Sequence, residues 1–144
     1  MKISEIMIRD VISIRDNMLV SDANDLMFNH KISGLPVIDE SGKVIGILTQ
    51  DDLIRALLPS YQEIHEDERL LHDYEYMESR AHTLAKTPVR DIMSKEVYTV
   101  DEDTPVVKAA SLMFMKKIKR IPVMREGKLV GVVSRTDIIN AIFK

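Results

Sequence analysis

The chain has 144 residues, of which 45% are hydrophobic and 30% charged, and its formal net charge is −3; this is an ordinary composition for a globular protein. No apolar run approaches the roughly 20 residues of a membrane helix, and the N-terminus lacks the apolar core of a signal peptide. The absence of cysteine excludes disulfides and thiolate metal sites, and a net negative charge argues against a general nucleic-acid binder. We therefore expect a cytoplasmic protein with no membrane partner and no specific nucleic-acid partner.

The first elements in chain order predict a strand, a helix, a hairpin and a closing helix. A β-rich run precedes an amphipathic stretch, and two further apolar runs flank a turn that contains Gly42, a pattern typical of a β-hairpin. The expected elements are a strand at 11–14, a helix capped by Asn17 or Ser21, strands at 35–38 and 44–48, and a helix at 50–58.

A linker follows at 59–88, bounded by Pro59 and Pro88. Its apolar residues recur at spacings of 3, 4 or 7 between Ile64 and Leu84, which predicts one amphipathic helix with an acidic outer face. Packing of this helix against its own chain is the simplest interpretation, and a dimer contact or a docking surface for a partner protein is the alternative. Its three histidines leave open a pH sensor or a metal site; they are His65, His72 and His82.

Residues 89–144 repeat residues 1–58. With a shift of 86 residues and one single-residue gap, about nineteen positions over some fifty are identical, which establishes an internal duplication. In this copy Thr104 is the expected N-cap and Pro105 the first helical residue. We predict an α+β fold of two βαββα units, with domains at 1–58 and 89–144 joined by the helical linker 59–88. Because each unit is small, we expect the two to pack face to face with pseudo-two-fold symmetry around a shared cleft.

Charge is distributed unevenly along the chain. Residues 1–58 carry a balance of −3, residues 59–88 carry −4, and residues 89–144 carry +4. The second copy is therefore the better place for an anion to bind.

One segment of each copy carries candidate chemistry. It reads glycine, two apolar residues, a hydroxyl residue, two variable residues and aspartate, and it spans 46–52 in the first copy and 131–137 in the second. A hydroxyl three residues before an acid is typical of a capping box, although aspartate is shorter than the usual glutamate and is expected to reach back less well. The same helix start can hold a phosphate on free amides and a ribose on the carboxylate. Its occurrence twice, behind a hairpin, favours nucleotide binding.

Together these motifs resemble a pair of CBS domains, also called a Bateman module. The resemblance rests on the Ile-Met pairs at 6–7 and 92–93, the strand and helix start at 98–106, the Pro-Val pairs at 36–37 and 122–123, and the two glycine-to-aspartate segments. It implies a stand-alone regulatory module, without catalysis or cofactor, that binds an adenine nucleotide or related adenosyl ligand, with AMP, ADP and ATP as first candidates. It also implies a homodimer and a separate regulated protein.

The resemblance assigns roles residue by residue. Asp137 and Asp52 hold ribose hydroxyls, Ser134 and Thr49 contact the ribose–phosphate part, and Thr99 and Ser13 lie near the base. The remaining candidates are the proline that occurs in both repeats, its neighbours and the nearby cations: Lys119, Arg120, Ile121, Pro122, Arg135 and Pro36.

The two copies depart from one another at the phosphate positions. Ser33 and Gly34 stand in the first copy where Lys119 and Arg120 stand in the second, and Gln50 stands where Arg135 does. We therefore expect a stronger site around Asp137 and a weaker one around Asp52.

Two other functions compete with ligand sensing. The chain could be a structural or protein-interaction module with vestigial pockets, acting through dimerisation and the acidic linker helix. An enzyme is disfavoured, because the sequence has no Walker loop, no nucleophile–base signature and no metal-ligand cluster.

Overall fold

The computed structural model describes all residues, 1–144. None of its helices combines the length and apolarity that a membrane crossing requires. The helices are α1 (Val20–His30), α2 (Gln50–Leu57), α3 (Tyr61–Glu66), α4 (Tyr74–Ala85), α5 (Val106–Lys116) and α6 (Arg135–Phe143). The strands are β1 (Gly34–Ile38), β2 (Val44–Thr49), β3 (Val100–Asp101), β4 (Arg120–Arg125) and β5 (Lys128–Ser134), and short 3-10 turns lie at Ile3–Glu5, Glu68–His72 and Val89–Asp91. The predicted α+β fold with two βαββα repeats is confirmed.

Contacts divide the chain into two compact units, which interleave the two sequence repeats. Unit 1 comprises residues 1–13, 38–45 and 96–144, and unit 2 comprises residues 14–37 and 46–95. Unit 1 therefore contains the body of the second repeat with the leading segment of the first. Unit 2 contains the body of the first repeat, the linker and the leading segment of the second.

Unit 1 is built on a three-stranded sheet in the order β3-β4-β5. β3 runs parallel to β4, with Val100 beside Val123, and β4 runs antiparallel to β5. The β4–β5 turn is Glu126-Gly127, and both residues have positive φ, 51° and 78°. Two consecutive positive φ values match the twist of a tight hairpin, which explains the glycine at the second position.

The core of unit 1 lies between this sheet and the helices α5 and α6. This core consists of alternate residues of the strands and of one face of each helix, because amphipathic elements bury only one side. Its buried members are Ile3, Met7, Val100, Val106, Ala109, Met113, Ile121, Val123, Val133 and Ile138.

Within unit 1, the leading segment 1–13 contacts strand β5 through backbone hydrogen bonds and through one close side-chain contact. Ile8 and Val132 exchange backbone hydrogen bonds of 2.9 and 3.0 Å. A Cβ placed on Gly131 would lie 2.6 Å from the Met7 sulfur, so only glycine lets Met7 reach the strand. The glycine of one repeat and the methionine of the other thus pack against each other.

Unit 2 repeats this arrangement with the other leading segment. Ile47 and Ser94 exchange backbone hydrogen bonds of 2.9 Å, and a Cβ on Gly46 would lie 2.5 Å from the Met93 sulfur. The strands β1 and β2 form a two-stranded sheet. The buried apolar side chains of unit 2 are Ile14, Val20, Ala23, Met27, Leu35, Val37, Leu48 and Val89.

The expected helix caps at Asn17, Ser21 and Thr104 are wrong. The N-caps are Leu19 and Pro105, and neither provides a side-chain hydrogen bond. The first amides donate elsewhere: Val20 to the Thr87 carbonyl at 2.9 Å and Val106 to the Met1 carbonyl at 3.0 Å. Backbone carbonyls close in space, though far away in sequence, replace the local cap.

The first strand of each repeat is shorter than predicted. In the second repeat it is reduced to Val100–Asp101, and in the first to a single parallel bridge between Ile14 and Val37. The hairpin strands and the closing helices lie within about one residue of their predicted bounds.

The linker consists of α3 and α4 with the 3-10 turn Glu68–His72 between them, and the prediction of one continuous helix is wrong. Each piece begins at a polar side chain that accepts a backbone hydrogen bond: Ser60 from Glu63, Asp67 from Arg69 and Asp73 from Tyr76. Asp67 and Asp73 have extended backbones and so end one helix and cap the next. The Tyr76 hydroxyl donates to Glu63 at 2.7 Å and ties α4 back to α3.

Candidate functional site

The start of α6 holds the candidate residues Ser134 and Asp137 in a reciprocal capping box. The Ser134 hydroxyl accepts from the Asp137 amide at 3.1 Å, and Asp137 Oδ2 accepts from the Ser134 amide at 2.8 Å. Both side chains are half-buried. The hydroxyl hydrogen of Ser134 and the second oxygen of Asp137 lie outside this box, so capping and ligand binding are compatible here.

The start of α2 repeats the box with Thr49 and Asp52. The Asp52 amide donates to the Thr49 hydroxyl at 3.3 Å, and the Thr49 amide donates to Asp52 Oδ2 at 2.9 Å. The expectation that aspartate would reach back poorly is wrong, because the carboxylate closes the box at ordinary hydrogen-bond length in both repeats.

Asp52 also has two partners that the capping motif does not predict. Its Oδ1 accepts from the Ser94 hydroxyl at 3.0 Å and from Arg55 Nη1 at 3.2 Å. Asp52 is 4% exposed and is the buried charged residue of the molecule. The spacing of Asp52 and Arg55 within one helix was a usable signal for the ion pair, whereas Ser94 lies 42 residues away and only the fold brings it close.

The basic candidates of the second repeat lie beside α6. The Arg135 amide donates to the Lys119 carbonyl at 3.0 Å, and Arg120 pairs with Ser134 across β4 and β5. Arg135 Nε donates to the Ile118 carbonyl at 2.9 Å. Unit 1 thus brings together Lys119, Arg120 and Arg135 with Ser134 at one end of its sheet.

The remaining candidates differ in exposure. Ile121, Pro122 and Pro36 are buried strand residues, so their side chains belong to the cores. Thr99 is exposed and lies one residue before β3, while Ser13 is half-buried and lies one residue before the Ile14 bridge.

A cavity of about 480 Å³ opens on unit 1 beside Thr99. Its walls combine the end of the first strand with α5, and its size falls in the range of small-molecule sites. Besides Thr99 the lining residues are Val100, Asp101, Thr104, Lys108, Ser111, Leu112 and Met115. No group of three or more histidine, aspartate or glutamate side chains is placed to hold a metal ion.

The sequence model of the CBS domain matches residues 3–59 and 89–144. These two matches cover most of the chain and coincide with the duplicated repeats. The chain belongs to the CBS-domain family. Over 155 aligned residues it is 36% identical to the uncharacterised protein MJ1426 of Methanocaldococcus jannaschii, covering 99% of this chain and 91% of that protein.

Two solved structures are similar over nearly the whole chain. One is the CBS domain pair of protein MJ0100 in complex with 5′-methylthioadenosine and S-adenosyl-L-methionine, with a TM-score of 0.75, 26% identity and coverage of 99% of this chain and 96% of that chain. The other is CBSX2 in complex with AMP, with the same TM-score, identity and coverages.

The enzymes among the curated relatives are much longer than this chain. It covers 23% of inosine-5′-monophosphate dehydrogenase from Methanocaldococcus jannaschii and 24% of homoserine O-acetyltransferase from Methanohalobium evestigatum. A CBS-domain pair is a regulatory module, and in these proteins it is one part of a larger enzyme.

Proposed function

We propose that this CBS-domain pair is a ligand-sensing module that binds an adenosyl ligand, with AMP, ADP and ATP as first candidates, and that it does so without catalysis. The observation that carries the proposal is the start of α6. There a hydroxyl and a carboxylate share one helix N-terminus with Lys119, Arg120 and Arg135 nearby.

Each part of that arrangement suits one part of a nucleotide. The second oxygen of Asp137 accepts from ribose hydroxyls in a charge-assisted pair. The Ser134 hydroxyl donates to the ribose–phosphate oxygens. The cationic side chains and the positive end of the helix dipole attract phosphate.

The two ligand-bound relatives support adenosine as the shared element. S-adenosylmethionine and 5′-methylthioadenosine, named for MJ0100, carry no phosphate, and AMP, named for CBSX2, carries one. All three contain a ribose with two free hydroxyls. These ligands share the adenosine part and differ at the 5′ position. Asp137 suits the shared ribose, and the nearby cations suit a 5′ phosphate where one is present.

A thermal-shift panel tests the proposal directly. The panel contains AMP, ADP, ATP, S-adenosylmethionine, 5′-methylthioadenosine, NAD and cyclic dinucleotides. A ligand that binds only the folded state at 100 times its Kd adds about 2.7 kcal/mol of stability, so at least one adenosyl ligand should raise Tm by several degrees. A flat panel would contradict ligand sensing, and release of phosphate or adenine from any member would contradict the absence of catalysis.

A second candidate function is supported by a bare apolar surface on α5 and α6. In unit 2, α4 packs on α1 and α2, and Arg80 Nη2 donates to the Ala56 carbonyl at 2.9 Å. In unit 1 the apolar surface of α5 and α6 is more than half exposed. Its members are Val107, Phe114, Met115, Ile139, Ile142 and Phe143.

We propose that a second copy of the chain covers this α5/α6 surface, since apolar patches of this kind mark interaction sites. The charges at exposed positions of the two equivalent helices support contact between copies. Where α5 has Lys108 and Ser111, α1 has Asp22 and Asp25, so the α1 surface is negative and the α5 surface carries a positive charge. The double variant Ile139→Asp/Ile142→Asp should elute as a monomer in light-scattering chromatography, while Leu71→Asp, an equally exposed apolar residue of the linker, should not change the mass. A monomeric wild type would refute the homodimer.

A further inference from the structure

The carboxylate of Asp52 is already saturated by the protein. Oδ2 accepts from the Thr49 amide at 2.9 Å and the Thr49 hydroxyl at 3.1 Å, and Oδ1 accepts from Ser94 at 3.0 Å and Arg55 at 3.2 Å. A carboxylate offers about four acceptor positions. Since Asp52 is also only 4% exposed, two ribose hydroxyls could bind it only by displacing protein donors.

Asp137 meets different neighbours at the two equivalent positions. The repeat alignment places Ile8 where unit 2 has Ser94, and Asn140 where unit 2 has Arg55. Ile8 has no hydroxyl, and Asn140 has no charge. Neither donor that occupies Oδ1 of Asp52 therefore exists beside Asp137, although the two capping boxes are alike.

The two extra partners of Asp52 differ in weight. The Arg55 side chain is 73% exposed, so solvent screens most of its attraction. The Ser94 hydroxyl donates to the same oxygen, Oδ1, in a part-buried hydrogen bond that joins α2 to the segment that follows the linker. Displacing Ser94 would leave Oδ1 of the buried Asp52 carboxylate without this donor, which is the costly outcome for a buried polar group.

We infer that Asp52 is a structural clasp rather than a ligand group, and that the chain binds one adenosyl ligand, at the Asp137 site. This inference rests on the proposed function for its ligand part. The clasp part rests on the geometry around Asp52 alone. The first repeat thus keeps the motif of a nucleotide site but uses its carboxylate to hold the second leading segment against α2.

Exchange of the equivalent residues between the repeats tests the ligand part, with AMP as the probe in isothermal titration. Wild type should bind one equivalent. Arg55→Asn/Ser94→Ile gives Asp52 the surroundings of Asp137 and should bind a second, weaker equivalent. The reciprocal Ile8→Ser/Asn140→Arg should weaken AMP binding by about 10-fold or more, the size expected for loss of one hydrogen bond to a charged group.

Two equivalents in wild type, an unaltered stoichiometry in Arg55→Asn/Ser94→Ile, or an unaltered affinity in the reciprocal variant would each overturn the single-site inference. Absence of AMP binding to wild type would instead refute AMP as the ligand of the proposed function.

A comparison without ligand tests the clasp independently. Asp52→Asn and Asp137→Asn weaken the same capping box, so the difference between them reports Ser94 and Arg55. We expect Asp52→Asn to lower Tm by about 3 to 8 °C more than Asp137→Asn does. Equal Tm values for the two variants would overturn the clasp.

Discussion

Asp137 in unit 1 and Asp52 in unit 2 occupy the same place in the same capping box, yet their carboxylates have different neighbours. Asp52 is held by Ser94 and Arg55 and is buried, whereas Asp137 is half-buried, and the repeat alignment puts Ile8 and Asn140 at the positions of Ser94 and Arg55. The difference shows that a duplicated motif can keep its backbone geometry while the hydrogen-bond partners of its carboxylate differ between the copies. The capping box is present in both repeats, and in the proposed function the surroundings of each carboxylate determine whether it binds a ligand.

The largest expected difference between the units concerns the repeated glycines. Alanine at Gly131 would place Cβ 2.6 Å from the Met7 sulfur and 3.0 Å from the Ile8 carbonyl oxygen, which is held by its hydrogen bond from Val132. We expect Gly131→Ala to cost about 1–3 kcal/mol of unfolding free energy, typical of overpacking.

The matched variant in unit 2 is Gly46→Ala, measured by the same denaturant titration. Its Cβ would meet only side-chain atoms of Met93, and a methionine side chain is flexible and can move. We expect the smaller loss there. A larger loss for Gly46→Ala than for Gly131→Ala would show that the Ile8 backbone does not limit the packing of unit 1.

A smaller effect is expected at the phosphate positions. Lys119→Ser gives the second repeat the residue of the first, and one exposed charge is worth about 0.2–1 kcal/mol, so AMP should bind about 1.5- to 5-fold more weakly. Binding of 5′-methylthioadenosine, which has no phosphate, should not change. Titration of both ligands, with Lys128→Ser as the control for net charge, separates the effects; an equal loss for both ligands would exclude a phosphate contact.

The smallest effect concerns pH and the linker of unit 2. A hydrogen bond from the Tyr76 hydroxyl, supported by Ser60, lowers the pKa of Glu63 below its usual value. Because the folded pKa is depressed, the α3–α4 contact gains stability that is present above the unfolded pKa and is lost as pH falls through the folded pKa. In unit 1 the Arg125 side chain lowers the pKa of Glu102 in the same sense.

Carbon-detected NMR titration of the glutamate carboxyls measures both groups. Tyr76→Phe should raise the pKa of Glu63 toward its usual value and leave that of Glu102 unchanged. A Glu63 pKa that does not move in Tyr76→Phe would show that Tyr76 is not the main cause of its shift.

The sequence predicted what depends on local pattern and on repetition. The duplication, the hairpins and the closing helices follow from turn glycines and apolar periodicity, and they lie close to their expected bounds. The capping boxes follow from a hydroxyl residue three positions before an acid, although Asp52 and Asp137 reach back better than their length predicts. In the linker the apolar period continues through Asp67 and Asp73 and so predicts one helix, but the capping side chains of these two residues interrupt the helix.

What the sequence could not predict depends on segments that meet only in the fold. Val20 and Val106 are capped by the carbonyls of Thr87 and Met1, so no local capping residue marks the helix starts. The contact of Ser94 with Asp52 has the same origin. Met1 and Ser94 belong to leading segments that pack in the unit formed by the body of the other repeat, and Thr87 is at the end of the linker.

The most direct test of the account is a titration of AMP into wild type, Asp137→Ala and Thr136→Ala. Asp137 carries the ribose contact in the proposed site, whereas Thr136 is its exposed neighbour on the same helix. The account predicts one equivalent bound by wild type, a 10- to 100-fold weaker affinity in Asp137→Ala, about the 1–3 kcal/mol of a lost hydrogen-bonding group, and wild-type affinity in Thr136→Ala. Wild-type affinity in Asp137→Ala would contradict it.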